Sequence, residues 1–294
     1  MERATQIEPG LRLIRADNPS AMTGAGTNSY IIGSGQVCVL DPGPDDPQHL
    51  RAIMAALQPG EQVAAILVTH SHRDHSPLAR ELAKVTGAPV LGFGESAAGR
   101  SALMADLAAQ GVAGGGEGVD ADFRPDRLLG DQEELSVGEE SLRAIWTPGH
   151  MGNHLCFAWR GAVFTGDHVM GWASSLISPP DGDLGAYMRS LDKLRGERAR
   201  VLYPGHGAPI TDAAARIAEL AAHREARSAA ILAQLARGPA TIAELVAAIY
   251  TDTPAELHAA AARNVHAHLI DLYERALVAA DPLPAPSARY RRLS

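Results

Sequence analysis

The sequence predicts an α/β chain: a sandwich with helices outside, followed by a small, mostly helical domain. Three observations carry this. Over residues 1–212, short apolar runs bounded by Gly, Pro and Asp alternate with helical patterns, and the order of strands then helices occurs twice. After Asp212 the composition turns to Ala-rich helix. A chain of 294 residues with 46% hydrophobic content can bury one sizeable core and a smaller appended one. Domains are therefore expected at 1–212 and 213–294.

The first strands fall at Leu11–Ile14, Ser29–Ile32 and Gln36–Leu40, the last stopped by the breaker-rich Asp41-Pro42-Gly43-Pro44. His49–Leu57 has helical spacing and ends at Pro59-Gly60. Val63–Thr69 reads as a buried strand that runs straight into His70-Ser71-His72-Arg73-Asp74-His75-Ser76, and a helix opens at Pro77 and reaches Thr86. Residues 94–130, Ala- and Gly-rich around Gly114-Gly115-Gly116, yield no element and read as mobile. The second half offers a strand at Leu142–Trp146 and a hairpin of Leu155–Trp159 with Ala162–Phe164. A helix at Leu184–Arg195 and a strand at Val201–Tyr203 follow. In the tail, helices are expected at Ala213–Leu235, from Thr241 to Tyr250 with a capping box at Thr241/Glu244, and from Pro254 to about Ala276. Leu277-Val278-Ala279 then suggests a short wing. The last dozen residues, with Pro282, Pro284 and Pro286, read as a loose tail.

Charge and cysteine usage narrow the function classes. The net charge of −8 is carried by residues 1–212, which hold 17 Lys/Arg against 26 Asp/Glu, so neither part looks like a duplex-coating module. Two cysteines, Cys38 and Cys156, cannot build a disulfide framework, and Cys156 in an apolar strand reads as core. Apolar runs such as Val63–Val68 fall far short of the roughly 18 residues of a membrane span. Met1–Gln6 lacks the apolar centre of a secretory leader, so a cytoplasmic setting is expected. The oligomeric state stays open.

Five of the twelve histidines and two aspartates stand at strand ends or in the turns just after them: His70, His72, Asp74, His75, His150, Asp167 and His206. Singly, such a histidine is more often a cap or a surface residue, and Asp74 alone reads as an N-cap for the Pro77 helix. Together, His-x-His-x-Asp-His after an apolar strand, then Gly149-His150, Gly166-Asp167 and Gly205-His206, each at the border of an apolar run, point to metal chemistry. Neutral imidazole and carboxylate hold zinc, iron or manganese. Seven such groups exceed one tetrahedral ion and suit two ions about 3.5–4 Å apart that share a carboxylate and a water.

With these motifs the chain resembles the metallo-β-lactamase superfamily over residues 1 to about 212. The resemblance implies an αββα sandwich with a dinuclear site along one edge. It implies His70, His72 and His150 on the first metal, Asp74, His75 and His206 on the second, and Asp167 bridging both. Two divalent ions are expected, zinc first, with Mn2+ or Fe2+ also compatible. Gly26-Thr27-Asn28-Ser29-Tyr30, the Thr69–Ser76 motif and Tyr203-Pro204-Gly205-His206-Gly207 are similar to the beta-lactamase-like protein 2 subgroup. So is the tail, with Ile249-Tyr250, Pro254, Leu257-His258 and His268-Leu269. That subgroup carries a small winged-helix domain and includes enzymes that cleave single-stranded RNA. Its wing turn normally contains a glycine, where this chain reads Glu274-Arg275-Ala276-Leu277.

A metal-dependent hydrolase is the resulting expectation, acting by a hydroxide that bridges two metals, with Asp74 as the catalytic residue that orients it. Single-stranded RNA is one candidate substrate; it would need a basic path, to which Arg73, Arg100 and Arg189 could contribute. A small thioester or lactone, as in glyoxalase-II-like enzymes, is the alternative, although no basic glutathione-binding cluster appears in the tail. A true β-lactamase is disfavoured because a bridging Asp is foreign to that ligand set. The non-enzyme alternative is a metal-sensing DNA-binding regulator. Its recognition helix would set Arg263 and Arg275 against Glu256, Asp271 and Glu274, a balance that suits packing rather than a major groove. Weaker candidates are His154 behind the ligands, His168, Trp172–Ser175 as a rim, and Tyr203 as pocket or core; the resemblance alone implies Asn28 and Ser29 at the substrate. Ser71 and Ser76 read as turn residues and His268 as a packed core histidine.

Overall fold

The structure, a computed structural model, describes residues 4–114, 118–251, 254, 257–281 and 283–293. Strands β1 (Thr5–Glu8), β2 (Leu11–Arg15), β3 (Asn28–Ser34) and β4 (Gln36–Leu40) run antiparallel. After helix α1 (Pro47–Ala55), strand β5 (Gln62–Leu67) joins β4 in parallel. Helix α2 (Leu78–Thr86), β6 (Val90–Gly92), helix α3 (Ala102–Ala109) and β7 (Arg127–Leu128) complete a seven-stranded sheet in sequence order. The second sheet holds β8 (Glu134–Val137), β9 (Glu140–Trp146), β10 (Leu155–Trp159), β11 (Ala162–Gly166) and β12 (Val201–Pro204), in the order β12-β11-β10-β9-β8. Helix α4 (Leu184–Gly196) makes the crossover that leaves β11 and β12 parallel.

The apolar runs are continuous rather than alternating because both faces of each sheet are covered. Successive side chains of a strand point to opposite faces. In β4, Cys38 and Leu40 enter the core between the sheets while Val37 and Val39 meet α1 and α2. In β10, Leu155, Phe157 and Trp159 enter that central core and Cys156 faces α4. Layers of helix, sheet, sheet and helix result, which is the predicted αββα sandwich.

Helix α5 (Ala213–Leu235) spans two cores: Ala213, Ile217 and Leu220 pack on the second sheet, whereas Ile231 and Leu235 pack with α6 (Ile242–Ile249) and α7 (His258–Glu274). The expected capping box is present, with Thr241 and Glu244 bonding each other's backbone amides. Three expectations are corrected. The C-terminal tail is not loose: β13 (Val278–Asp281) pairs with β14 (Arg289–Arg292), and Tyr290 is fully buried in the tail core. Only this one residue of Arg-Tyr-Arg-Arg is buried, so the strand carried almost no apolar signal. Residues 94–130 supply α3 and β7, and Met104 and Leu107 of α3 pack on Ile270 of α7. The third tail helix begins at His258 rather than Pro254. Glu256, Pro282 and the Gly115-Gly116 part of the glycine loop lie outside the described residues.

Candidate metal centre

Four strand ends meet at one edge of the sandwich. The His70–His75 loop follows β5, His150 sits in the β9–β10 connection, Asp167 follows β11, and His206 follows β12. Glycine makes the approach possible. A Cβ at Gly205 would lie 2.6 Å from Asp167 Oδ1 and 2.7 Å from His75 Cε1. One at Gly166, whose φ is +46°, would lie 2.7 Å from His154 Nε2 and 2.8 Å from Thr69 Oγ1. The glycines that precede Asp167 and His206 in the sequence therefore bring the chains together.

All seven expected residues converge, buried, in two groups that share Asp167. His70, His72, His150 and Asp167 form one, and Asp74, His75, Asp167 and His206 the other, with ligand atoms in each group within 4.8 Å of one another. In the first, His72 Nδ1 lies 3.0 Å from both His70 Nε2 and His150 Nε2. In the second, Asp74 Oδ2 is 3.3 Å from His75 Nε2 and 3.1 Å from His206 Nε2. Asp167 Oδ1 lies 3.3 and 3.2 Å from the same two nitrogens, and Asp167 Oδ2 lies 3.7 Å from His150 Nε2 in the other group. Asp167 thus presents one oxygen to each group.

The outer nitrogens decide what faces inward. His150 Nδ1 donates to the Leu176 carbonyl at 2.7 Å, His206 Nδ1 to the Gly26 carbonyl at 3.3 Å, and His75 Nδ1 to Asp41 Oδ2 at 3.0 Å. His70 Nδ1 donates to Thr69 Oγ1 at 2.9 Å, whose hydroxyl donates onward to Asp41 Oδ2 at 2.7 Å. Each of these bonds commits an outer ring proton, so Nε2 of His70, His75, His150 and His206 faces inward, free to bind a cation when the ring is neutral. Asp74 Oδ1 and Asp167 Oδ1 are buried without a hydrogen-bond partner. A buried cluster of lone pairs and orphaned carboxylate oxygens fits divalent cations, and this donor set matches zinc, iron or manganese.

Protonation follows the same division. Burial, with neighbouring His150, pushes His72 down to about 3, and burial also lowers His70 and His150. Burial would lower His75 and His206 as well, but the Asp74 and Asp167 carboxylates outweigh it, raising His75 well above its usual range and His206 to about 10. Without a cation, the carboxylate-rich group holds protons where a cation would sit.

Asp41 is the residue that sequence reasoning read only as a strand breaker. Buried at the end of β4 with φ +48°, it also accepts from the Thr69 amide at 2.7 Å, so one carboxylate orients His75 directly and His70 through Thr69. The available signal was positional: an Asp at the end of a strand parallel to the one that carries the histidine motif. Asp74 does not cap α2, whose N-cap position is Pro77 with no side-chain bond. Asn28 and Ser29 are buried and bond the Pro204 and Asp41 carbonyls rather than facing the cleft. Tyr203 is core, donating to Glu8 Oε1 at 2.9 Å. His154 stacks behind His70 with Nδ1 2.9 Å from Thr147 Oγ1, and His168 packs on Tyr187. His268 is buried in α7, as expected, beside Ser228.

A cleft opens over His72, His150, Asp167 and His206. Its other walls are Ala21, Met22, Met170, Trp172, Ala173, Ser174, Leu176, Ser178 and Asp181. Trp172–Ser174 form the expected rim, whereas Ser175 turns inward. Among the described residues no lysine or arginine lines it; Arg100 instead pairs with Asp181 at 2.5 Å, and Arg73 Nε donates to the Val119 carbonyl.

Residues 22–206 match the family model of the metallo-beta-lactamase superfamily. The chain belongs to the metallo-β-lactamase superfamily. Residues 241–282 match the beta-lactamase-associated winged-helix domain, which this member of the superfamily folds as α6, α7 and the wing strand β13. The beta-lactamase-like protein 2 homolog of Drosophila melanogaster is 31% identical over 280 residues, covering 91% of this chain and 89% of that protein. An atrochrysone carboxyl ACP thioesterase of Aspergillus chevalieri is 29% identical over 268 residues, covering 86% of this chain and 77% of that protein. A metallo-beta-lactamase family protein from Thermus thermophilus superposes with a TM-score of 0.77 at 28% identity, covering 98% of this chain and all of that one. Members of the superfamily are generally hydrolases, and the His/Asp cluster is this member's candidate metal site. No helix among the described residues is long and apolar enough to cross a membrane.

Proposed function

We propose that the chain is a dinuclear metal-dependent hydrolase of thioesters with an apolar acyl group. His70, His72 and His150 would hold one divalent ion, Asp74, His75 and His206 the other, and Asp167 both, with zinc the expected metal. The observation that carries the substrate class is the cleft wall: Met22, Met170, Trp172 and Leu176 line the cleft with Asp167, with no lysine or arginine among the described lining residues. Such a wall suits an apolar acyl chain, whereas a single-stranded RNA path would need lysine or arginine beside the site. The thioesterase named among the relatives supports the same class.

Bound divalent ions supply Lewis acidity, lowering the pKa of water and polarising the scissile carbonyl. The chain's own residues do the rest. Asp41, Leu176 and Gly26 fix the tautomers that turn Nε2 of His75, His150 and His206 inward. Asp74 keeps Oδ1 free of any protein hydrogen bond, an acceptor able to orient or take a proton of attacking water. Met170 and Trp172 give the acyl side an apolar lining. The tail gives little support to DNA readout: eight α7 residues, including Val265, His266 and His268–Ile270, are buried, and Arg275 pairs with Asp271.

The test is hydrolysis of a series of acyl thioesters by metal-replete protein, with Asp167→Ala purified in parallel and labelled single-stranded RNA as the competing substrate. Thioester turnover that is absent in Asp167→Ala, with RNA left intact, is the expected result. RNA cleavage by the wild type alone, without thioester turnover, would reverse the assignment.

A further inference from the structure

Arg224 of α5 is 2% exposed, and among the described residues it has no carboxylate partner. Its guanidinium instead donates from Nη2 to the Ser175 carbonyl and from Nη1 to Asn264 Oδ1 at 3.2 Å, and lies 5.4 Å from the Tyr187 ring centre, with Nε unpartnered. A buried cation without a counter-ion is costly. Packing alone therefore gives no reason for this arginine.

Its partners give one. The segment that Arg224 grips, residues 167–177, carries both the shared carboxylate and one wall of the cleft. The single Ser175 hydroxyl proton is directed between the Asp167 carbonyl, 2.6 Å from Oγ, and that of His168 at 2.9 Å, and the next carbonyl, Leu176, accepts a hydrogen bond from His150 Nδ1. Asn264 of α7 reaches the same segment through the Ile177 amide at 3.4 Å. Further along, Arg216 of α5 donates to the Met170 and Ala173 carbonyls, both at 2.8 Å, beside the wall residues Met170, Trp172 and Ala173.

We propose that the C-terminal helical unit is a working part of the hydrolase centre: Arg224, shared between α5 and α7, is a positioning residue that sets Asp167 and His150, while Arg216 sets the acyl wall. This rests on the dinuclear reading above. It assigns the two arginines separable effects. Loss of Arg224 reaches groups that face the metals, whereas loss of Arg216 reaches groups that face the substrate. A lysine at 224 can reach one carbonyl but cannot span Ser175 and Asn264 as a planar fork does.

The experiment measures metal retention against a competing chelator, and separately kcat and KM on the best thioester, for wild type, Arg224→Met, Arg224→Lys, Asn264→Ala and Arg216→Ala. Leu235→Ala, in the tail core away from the segment, is the control for destabilisation alone. Expected are about tenfold or more weaker metal retention for Arg224→Met, the scale seen when residues that orient ligands are lost, and partial recovery with lysine. Arg216→Ala should raise KM with metal retention unchanged, and Leu235→Ala should lower Tm without either effect. If Arg224→Met does not fold, Asn264→Ala carries the test. Metal retention in the Arg224 and Asn264 variants equal to wild type, or equal loss in Leu235→Ala, overturns the inference. A wild type that holds no metal would instead overturn the dinuclear reading itself.

Discussion

Asp41 Oδ2 accepts the Nδ1 proton of His75 at 3.0 Å, across the junction of two parallel strand ends. The same oxygen accepts from Thr69 Oγ1, so a residue that touches no substrate determines which nitrogen two histidines turn inward.

Asp41→Asn should therefore weaken metal retention by about 10- to 100-fold, the usual cost of losing a residue that orients ligands. Equilibrium dialysis against a chelator reads it directly. Retention equal to wild type would show that His75 and His70 are held without this carboxylate.

Asp167→Ala removes the carboxylate that faces both groups. Metal content per chain should fall, and hydrolysis of every substrate should be lost together. Elemental analysis of the purified variant, beside activity on two unrelated esters, is the measurement. Full metal content with full activity would break the seven-residue assignment.

Metal uptake should release protons near neutral pH. In the metal-free chain the Asp74 and Asp167 carboxylates outweigh burial and hold His75 and His206 protonated, His206 up to about 10. A cation must displace those protons, so affinity falls as pH falls. Titrating zinc into weakly buffered protein with a pH indicator checks this. No acidification would mean that the two rings are already neutral.

Ala276 occupies a left-handed conformation, φ +54°, at the turn between α7 and the wing. The penalty for a non-glycine residue there is of order 1 kcal/mol. Ala276→Gly relieves it, against a larger unfolded-state entropy, and should raise Tm by a small margin while leaving kcat unchanged. A lower Tm would show that the turn gains more from the stiffer alanine than it loses to strain.

Much of the centre was legible because metal ligation demands particular residue types close to strand ends. The His70–His75 loop, and Gly-His and Gly-Asp at the borders of apolar runs, survive as local patterns. The strands that carry them were legible for a related reason: with both faces covered, Val37–Leu40 and Leu155–Trp159 read as unbroken apolar runs. Strand β14 was not, since its single buried residue, Tyr290, stands among exposed arginines.

What the sequence by itself determined, then, is the α/β sandwich, the appended helical unit and the identity of the seven converging side chains, because periodicity and motif are properties of neighbours along the chain. Only the tertiary structure decided the role of Asp41, the apolar wall made by Met22, Met170 and Trp172, and the grip of Arg224 on the Asp167 segment. Each joins residues tens of positions apart through hydrogen bonds or through packing. Neither leaves a local pattern in the residues that make it.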